Sequence, residues 1–350
     1  MRLLTLIEFT DEAEYVEEFL ALPLRIYAGD KRYRGTSSEE TLAWLRGQHC
    51  TGFLKQKNLL VTRDGVVLTR GIAFVNTRGG FGSIGFFESM DDPEAVEMLV
   101  QAASAFCSAE GMTRVLAPMD GSIWSSYRLM TRGFNDEPFL GEPYNKPYYA
   151  DLLVHCGFTQ AKTWETQFVK KVRVRGATAR KFLSADADRK SRGITIRAMK
   201  NFDTDIRIIH KLAMNSFREF FCFHEVDEQE FVDLYSDLKL IADKRAVRIA
   251  YDHDRPIGFG IALPDYRSTL GFLLRHAKRY VFLYLGTWQE NGQSVYPQVG
   301  KAIVTIIMKY LYIRRKGYVR ALMGEDAKTR GFSPDIDSIH EYAVYSKEVS

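Results

Sequence analysis

The sequence is poor in the features that mark several large protein classes. Its four cysteines, Cys50, Cys107, Cys156 and Cys222, are scattered and form no C-x-x-C pair. That spacing excludes a disulfide framework or a cysteine zinc site and predicts reduced thiols of a cytoplasmic protein. No basic segment followed by an apolar core and a small-residue cleavage site opens the chain, so no signal peptide is expected. The longest apolar helix, near Ile303–Ile313, carries Lys309 and is too short to span a bilayer. The seven histidines include no H-x-x-x-H pair, and His224-Glu225 near Cys222 reads as a loop, so no metal is expected. Ser122 and Ser125-Ser126 lack the G-x-S-x-G elbow of hydrolases. Gly79-Gly80-Phe81-Gly82 precedes a strand rather than a helix, which makes it a turn and not a phosphate loop.

What is present is an ordinary globular composition, 46% hydrophobic and 26% charged over 350 residues, enough for two domains. The net charge of +4 is unevenly placed. Residues 1–165 carry 16 basic and 22 acidic side chains, and 166–350 carry 32 and 22. Much of the excess lies in 166–193, with nine basic residues against Asp186 and Asp188. Such a run is a solvated linker, or a contact for coenzyme phosphates, a carrier protein or RNA.

The stretch Gly85–Phe158 organises the first half. An apolar strand, Ser83–Glu88, leads through Asp91-Asp92 to Pro93. Asp92 suits an N-cap and Pro93 the first helical turn. Val96, Leu99, Val100, Ala103 and Phe106 then form one buried stripe, closed by Gly111. A strand follows at Thr113–Leu116, a helical return leads to Arg132-Gly133-Phe134, and a second return ends in Cys156-Gly157-Phe158. Upstream, Leu3–Phe9 predicts a strand and Asp11 with Glu14 a helix start, ended or kinked by Pro23. Ser37-Ser38 caps a short helix. Asn58–Arg63, Asp64-Gly65 and Val66–Asn76 give a hairpin. Thr166–Val174 reads as the last strand of the first domain.

The second half repeats this order. Ile194–Ala198 is a strand, Ile206–Phe217 a helix, and Asp227 caps another. Val247–Tyr251 and Ile257–Leu263 form a hairpin. The strand Arg279–Leu285 precedes a helix that starts at Gly300 and ends at Gly317. Strands follow at Tyr318–Met323 and His340–Ser346. Gly111–Leu116 matches Gly317–Leu322, and Thr131–Phe134 matches Thr329–Phe332. Two copies of one α/β module are expected: 1–174, a basic linker at 175–193, and 194–350.

This repeated order resembles the GNAT acyltransferase superfamily, and more closely its bacterial tandem-domain members. The segments that carry the resemblance are Leu22-Pro23 with Tyr27, Gly85-Phe-Phe-Glu88, Glu142-Pro-Tyr-Asn-Lys-Pro-Tyr-Tyr149, Cys156-Gly-Phe158, Ala262-Leu-Pro-Asp265 and Tyr342-Ala-Val-Tyr345. The resemblance implies, in each copy, a mixed, mostly antiparallel, splayed sheet flanked by helices. It also implies acetyl-CoA or another acyl-CoA as co-substrate and an amine on a small molecule or peptide as acceptor. The diphosphate of such a donor sits on an Arg/Gln-x-x-Gly-x-Gly/Ala loop at a helix start, where free N–H groups and the helix dipole favour anions.

The copies differ at that loop. Met90-Asp91-Asp92-Pro93-Glu94 is acidic and lacks glycine, so the first copy is not expected to take CoA conventionally. In the second, Val299, Gly300, Lys301 and Ala302, after the strand end Leu285-Gly286, keep Gly-x-Ala but put Pro297 at the Arg/Gln position. The tyrosine that many GNAT enzymes place four residues before the closing Gly-Phe is replaced by Leu129, Leu153 and Ala327. Candidates for the chemistry are therefore Tyr284, Glu325 and Tyr342 in the second copy. In the first, Glu88, Tyr144, Asn145, Tyr148 and Tyr149 are candidates for holding substrate. Phe217, Phe220, Phe221 and Phe223 are helix-end packing or an apolar wall for the acceptor. A donor carried by an acyl carrier protein or tRNA, and a non-catalytic binding protein, are the alternatives.

Overall fold

The computed structural model describes residues 3–35, 37–50, 52–172, 193–266, 269–325, 327, 330 and 336–349. The expected linker, apart from Gly193, and most of Thr329–Phe332 lie outside them. The chain forms two compact units. Unit 1 comprises Met1–Pro138, Glu142–Trp164 and His340–Ser350, and unit 2 Phe139–Gly141 and Glu165–Ile339. The final strand thus belongs to unit 1, not to the second copy as expected. Its register explains this: Tyr345 pairs with Ala117 and Tyr342 with Met130, both in unit 1.

Unit 1 contains β1 (Leu4–Phe9), α1 (Ala13–Ile26), α2 (Ser38–Leu45), β2 (Leu54–Arg63), β3 (Val66–Asn76), β4 (Phe81–Ser89), α3 (Pro93–Ala109), β5 (Arg114–Ala117), β6 (Leu129–Arg132) and α4 (Tyr149–His155). The first half of β7 (Thr159–Val169) and nearly all of β15 (Ser338–Glu348) complete it. Its strands run β1-β2-β3-β4-β5-β15, with β6 on β15. Alternation along β2 and β3 divides the core between the two faces. Leu59, Val61, Ala73 and Val75 pack with Leu99, Val100 and Ala103 of α3. Leu60, Ile72 and Phe74 pack with Phe19 and Leu22 of α1 and Trp44 of α2. The β2–β3 turn needs left-handed backbone at Asp64 (φ 52°) and Gly65 (φ 80°), as Asp-Gly predicts.

Unit 2 contains β8 (Ile194–Ala198), α5 (Phe202–Ser216), α6 (Glu228–Leu234), α7 (Leu238–Ile241), β9 (Val247–Asp252), β10 (Arg255–Pro264), α8 (Thr269–Leu273), β11 (Arg279–Thr287), the short β12 (Gln289–Glu290) and β13 (Gln293–Ser294), α9 (Pro297–Ile313) and β14 (Gly317–Gly324). Its strands run β14-β11-β10-β9-β8, with the end of β7 beside β14. Ile303, Ile307 and Leu311 of α9 pack on Ala250, Ile257 and Ala262.

Several local expectations are corrected. Helix α1 starts after Glu12, whose carboxylate turns back to the Thr10 N–H at 2.7 Å, so Asp11 is not its cap. It runs through Pro23 to Ile26. No helix occupies 118–128; that return is made of turns and ends in β6. Helix α9 starts at Pro297 rather than Gly300 and ends at Ile313. Arg315 (φ 54°) supplies the left-handed residue after it, and Gly317 is already strand.

Candidate functional site

In unit 1, β4 and β5 run parallel and pair only at Gly82↔Val115 and Ser83↔Leu116. Beyond them the backbone of 119–120 lies along β4. The Met119 N–H donates to the Ile84 carbonyl at 2.9 Å, and Asp120 Oδ1 accepts the Phe86 N–H at 2.7 Å. Gly85 permits this approach, because a Cβ there would stand 2.6 Å from Asp120 Cα. Phe86 itself has φ 50°, in a register irregularity of β3–β4. The tip of α3 is occupied by its own side chains. Asp92 accepts the Ala95 N–H at 3.0 Å, and Arg63 binds both Asp92 and Glu94 at 2.9 Å.

Just past the irregularity stands Glu88. Its Oε2 accepts the hydroxyls of Tyr27 at 3.0 Å and Tyr149 at 2.6 Å. The Ser89 N–H donates to the Tyr149 hydroxyl at 2.9 Å, and Tyr148 donates to the Ser89 carbonyl at 2.9 Å. Arg70 is the cross-strand partner of Glu88 and only 2% exposed. Burial raises the Glu88 pKa, with Arg70 the foremost group pulling the other way. Burial likewise pushes Asp120 up to about 7. Tyr27 stacks on Tyr33, ring centroids 3.8 Å apart. Tyr144 donates to Asp30 at 2.8 Å, and Lys146 lies 3.8 Å from the same carboxylate. Burial pushes Tyr33, Tyr144 and Tyr148 up to about 12.

The Glu142–Tyr149 segment thus brings Tyr144, Tyr148 and Tyr149 to one region. Asn145 serves differently: its amide bonds both the N–H and the carbonyl of Met130, holding the segment to β6. Tyr342 is fully buried in unit 1, and its hydroxyl donates to Glu142, which also bonds His340 at 2.6 Å. It therefore belongs to a different unit from the second-copy candidates with which it was grouped.

In unit 2, β11 and β14 run parallel, and their pairing ends at Phe282↔Arg320. The next residues of β11 include Tyr284, Leu285 and Gly286. Tyr284 shares a 3.0 Å hydrogen bond with Tyr235, and its ring lies 5.8 Å from Phe217. Phe217 also stacks on Phe220 at 4.6 Å. Gly286 packs tightly, since a Cβ would meet the Phe259 ring at 2.6 Å. At α9, Pro297 has no N–H and the Val299 N–H already bonds the Tyr296 carbonyl at 3.0 Å. Val299 and Ala302 are buried, Lys301 is exposed, and Gly300 has ordinary room for a Cβ, 3.7 Å from Leu285 and Thr287. Glu325 is exposed just after β14. No group of three or more metal-ligating side chains occurs among the described residues. Nor is any helix among them long and apolar enough to cross a membrane.

A tandem GNAT protein from the clavulanic acid biosynthesis pathway superposes over 99% of both chains, with TM-score 0.56 at 9% identity. The chain has the GNAT fold. A probable N-acyltransferase of Enterococcus faecalis shares that fold over 100% of this chain and 73% of its own, with TM-score 0.55 at 10% identity. No known family profile matches the chain. Among curated proteins, Protein YghO of Escherichia coli is 23% identical over 194 residues, 55% of this chain and 49% of YghO. The match to YghO thus spans about half of that protein's length. Bacterial ceramide synthase of Caulobacter vibrioides is 23% identical over 275 residues, 74% of this chain and 69% of that protein.

Arg70, Asp120, Asp30, Lys146 and Tyr235 were not singled out as site residues from sequence. Arg70 left a signal: it is the one charged residue inside the strand Val66–Asn76.

Proposed function

We propose that the protein is an acyl-CoA-dependent N-acyltransferase that holds its donor in unit 2. The observation that carries this reading is the parting of β11 and β14 after Phe282↔Arg320. In a GNAT fold that divergence frees backbone groups of the strand to bond a thioester and its pantetheine amides. Gly300 and the exposed Lys301 would receive the diphosphate at the start of α9, where the helix dipole favours an anion. Tyr284, bonded to Tyr235, would return a proton to the leaving thiolate. Glu325 is a candidate base for the amine. The ring cluster Phe217, Phe220, Phe231 and Tyr235 suits an apolar acyl chain or acceptor. The likeness to a ceramide synthase supports the same chemistry, since a ceramide is an N-acylated long-chain amine.

Isothermal calorimetry with acetyl-CoA and longer acyl-CoAs tests the assignment. Binding should survive Gly300→Ala, for which there is space, and be lost in Gly300→Glu, which sets a carboxylate beside the diphosphate. Absence of binding to every acyl-CoA, or equal binding by Gly300→Glu, would defeat it. Tyr284→Phe should lower kcat about a hundred-fold with donor affinity unchanged.

One observation favours a second reading. Pro297 and the bonded Val299 leave α9 a tip with few free donors. A donor carried on an acyl carrier protein or tRNA does not need that tip. Salt-sensitive binding of a loaded carrier, with no binding of free acyl-CoA, would select it.

A further inference from the structure

We propose that unit 1 holds a binding site for a primary alkylamine, centred on Glu88 and Lys146. The carboxylate is held so that both tyrosine donors bond the same oxygen. Tyr27 and Tyr149 both donate to Oε2. Among the described residues Oε1 accepts no hydrogen bond. The two tyrosines are themselves fixed, Tyr27 by its stack on Tyr33 and Tyr149 by the Ser89 N–H. Glu88 cannot turn to share its donors without breaking that frame.

Beneath it lies a cation that filling space does not require. Arg70 is 2% exposed, its Nε is buried without a partner, and its guanidinium donates through Nη1 to the Phe19 carbonyl. Burying a guanidinium with so few partners is costly, and an apolar residue of that size would suit β3 better. Helix α1 is adapted to receive it. Pro23 has no N–H, so the Phe19 carbonyl four residues back lacks its helical donor and is open to Arg70. Pro23 and Arg70 together place a positive charge opposite Glu88 that favours its ionised form.

The occupant's chemistry is displayed by a residue of the chain. Lys146 sets its ammonium 4.9 Å from the centre of the Tyr27 ring and 3.8 Å from Asp30 Oδ2. That is an alkylammonium on a tyrosine face beside a carboxylate. A ligand amine would make the same contacts and donate to Glu88 Oε1, with Lys146 as its competitor. The binding does not depend on where the acyl donor sits.

Calorimetric titration of the full chain with n-hexylamine, against n-hexanol as the uncharged control, tests this. Hexylamine should bind and hexanol should not. Glu88→Gln keeps an acceptor for both tyrosines and should weaken hexylamine at least ten-fold, about 1.4 kcal/mol. Lys146→Met should strengthen it several-fold. Equal affinity of wild type and Glu88→Gln, or equal binding of hexanol, would overturn the site. Should Glu88→Gln fail to fold, Lys146→Met decides: unchanged or weaker hexylamine binding overturns the proposal. Acyl-CoA titrated into the same variants separates the two assignments. Donor binding retained while amine binding is lost concerns Glu88 alone, and no donor binding in the wild type counts only against the coenzyme reading.

Discussion

Asp120 shows how one side chain serves both backbone geometry and proton balance. Its Oδ1 holds the Phe86 N–H, and so helps keep Phe86 in the left-handed region, where a side chain is disfavoured. Burial raises its folded-state pKa to about 7, against about 4 in the unfolded chain. The folded state therefore binds this proton more tightly, and stability present at low pH is lost as pH rises through about 7. Asp120→Asn keeps the acceptor without the charge. It should flatten this part of the stability profile between about pH 4 and 7 and melt higher than wild type at pH 8. A thermal-melt series showing parallel pH profiles for the two proteins would refute this. Asp120 was not legible in advance, because its burial comes from Gly85 admitting a distant backbone, and no local pattern encodes that contact.

At the scale of elements, α1 is the informative case. A proline inside a helix normally costs about 3 kcal/mol, so Pro23→Ala should ordinarily stabilise. Here alanine would restore a helical N–H that competes with Arg70 for the Phe19 carbonyl. Pro23→Ala is thus expected to bring little or no gain in melting temperature in the wild type, and a clear gain in an Arg70→Met background. Equal gains in both backgrounds would show that the two residues are uncoupled. The helix itself was legible from its apolar spacing, and of the two outcomes expected at Pro23, an end or a kink, the end does not occur. The freed carbonyl found a partner on another element, which a local rule cannot see. Helix α3 is the converse: Asp92 and Pro93 state its start in sequence, and the structure bears this out through the bond to the Ala95 N–H. At α9 the glycine pattern pointed three residues too far along. Pro297 begins that helix instead, because its missing N–H costs nothing at the first position.

At the scale of the molecule, the last strand matters most. Glu341–Ala343 pair with β6 and Tyr345–Glu348 with β5 of unit 1, and Tyr342, Ala343 and Val344 are fully buried there. A chain ending at residue 339 should therefore lose the cooperative melting of unit 1, and a fragment of residues 1–174 should not fold alone. Restored folding of that fragment on adding a peptide of residues 338–349 would agree. A stable, cooperatively melting 1–174 fragment would contradict the assignment of β15.

Periodicity, caps and turn residues were enough to determine from sequence alone that this is an α/β chain, with most strands and helices near their observed places; the GNAT fold was implied by the resemblance of its segments. Those signals are local, and local conformational preference is what they report. Tertiary structure alone decided that β15 closes unit 1, that Tyr342 and Tyr284 belong to different units, and that Pro23, Arg70 and Glu88 form one arrangement. Each of these depends on contacts between residues far apart in the chain, whose free energy arises only once the sheet is assembled.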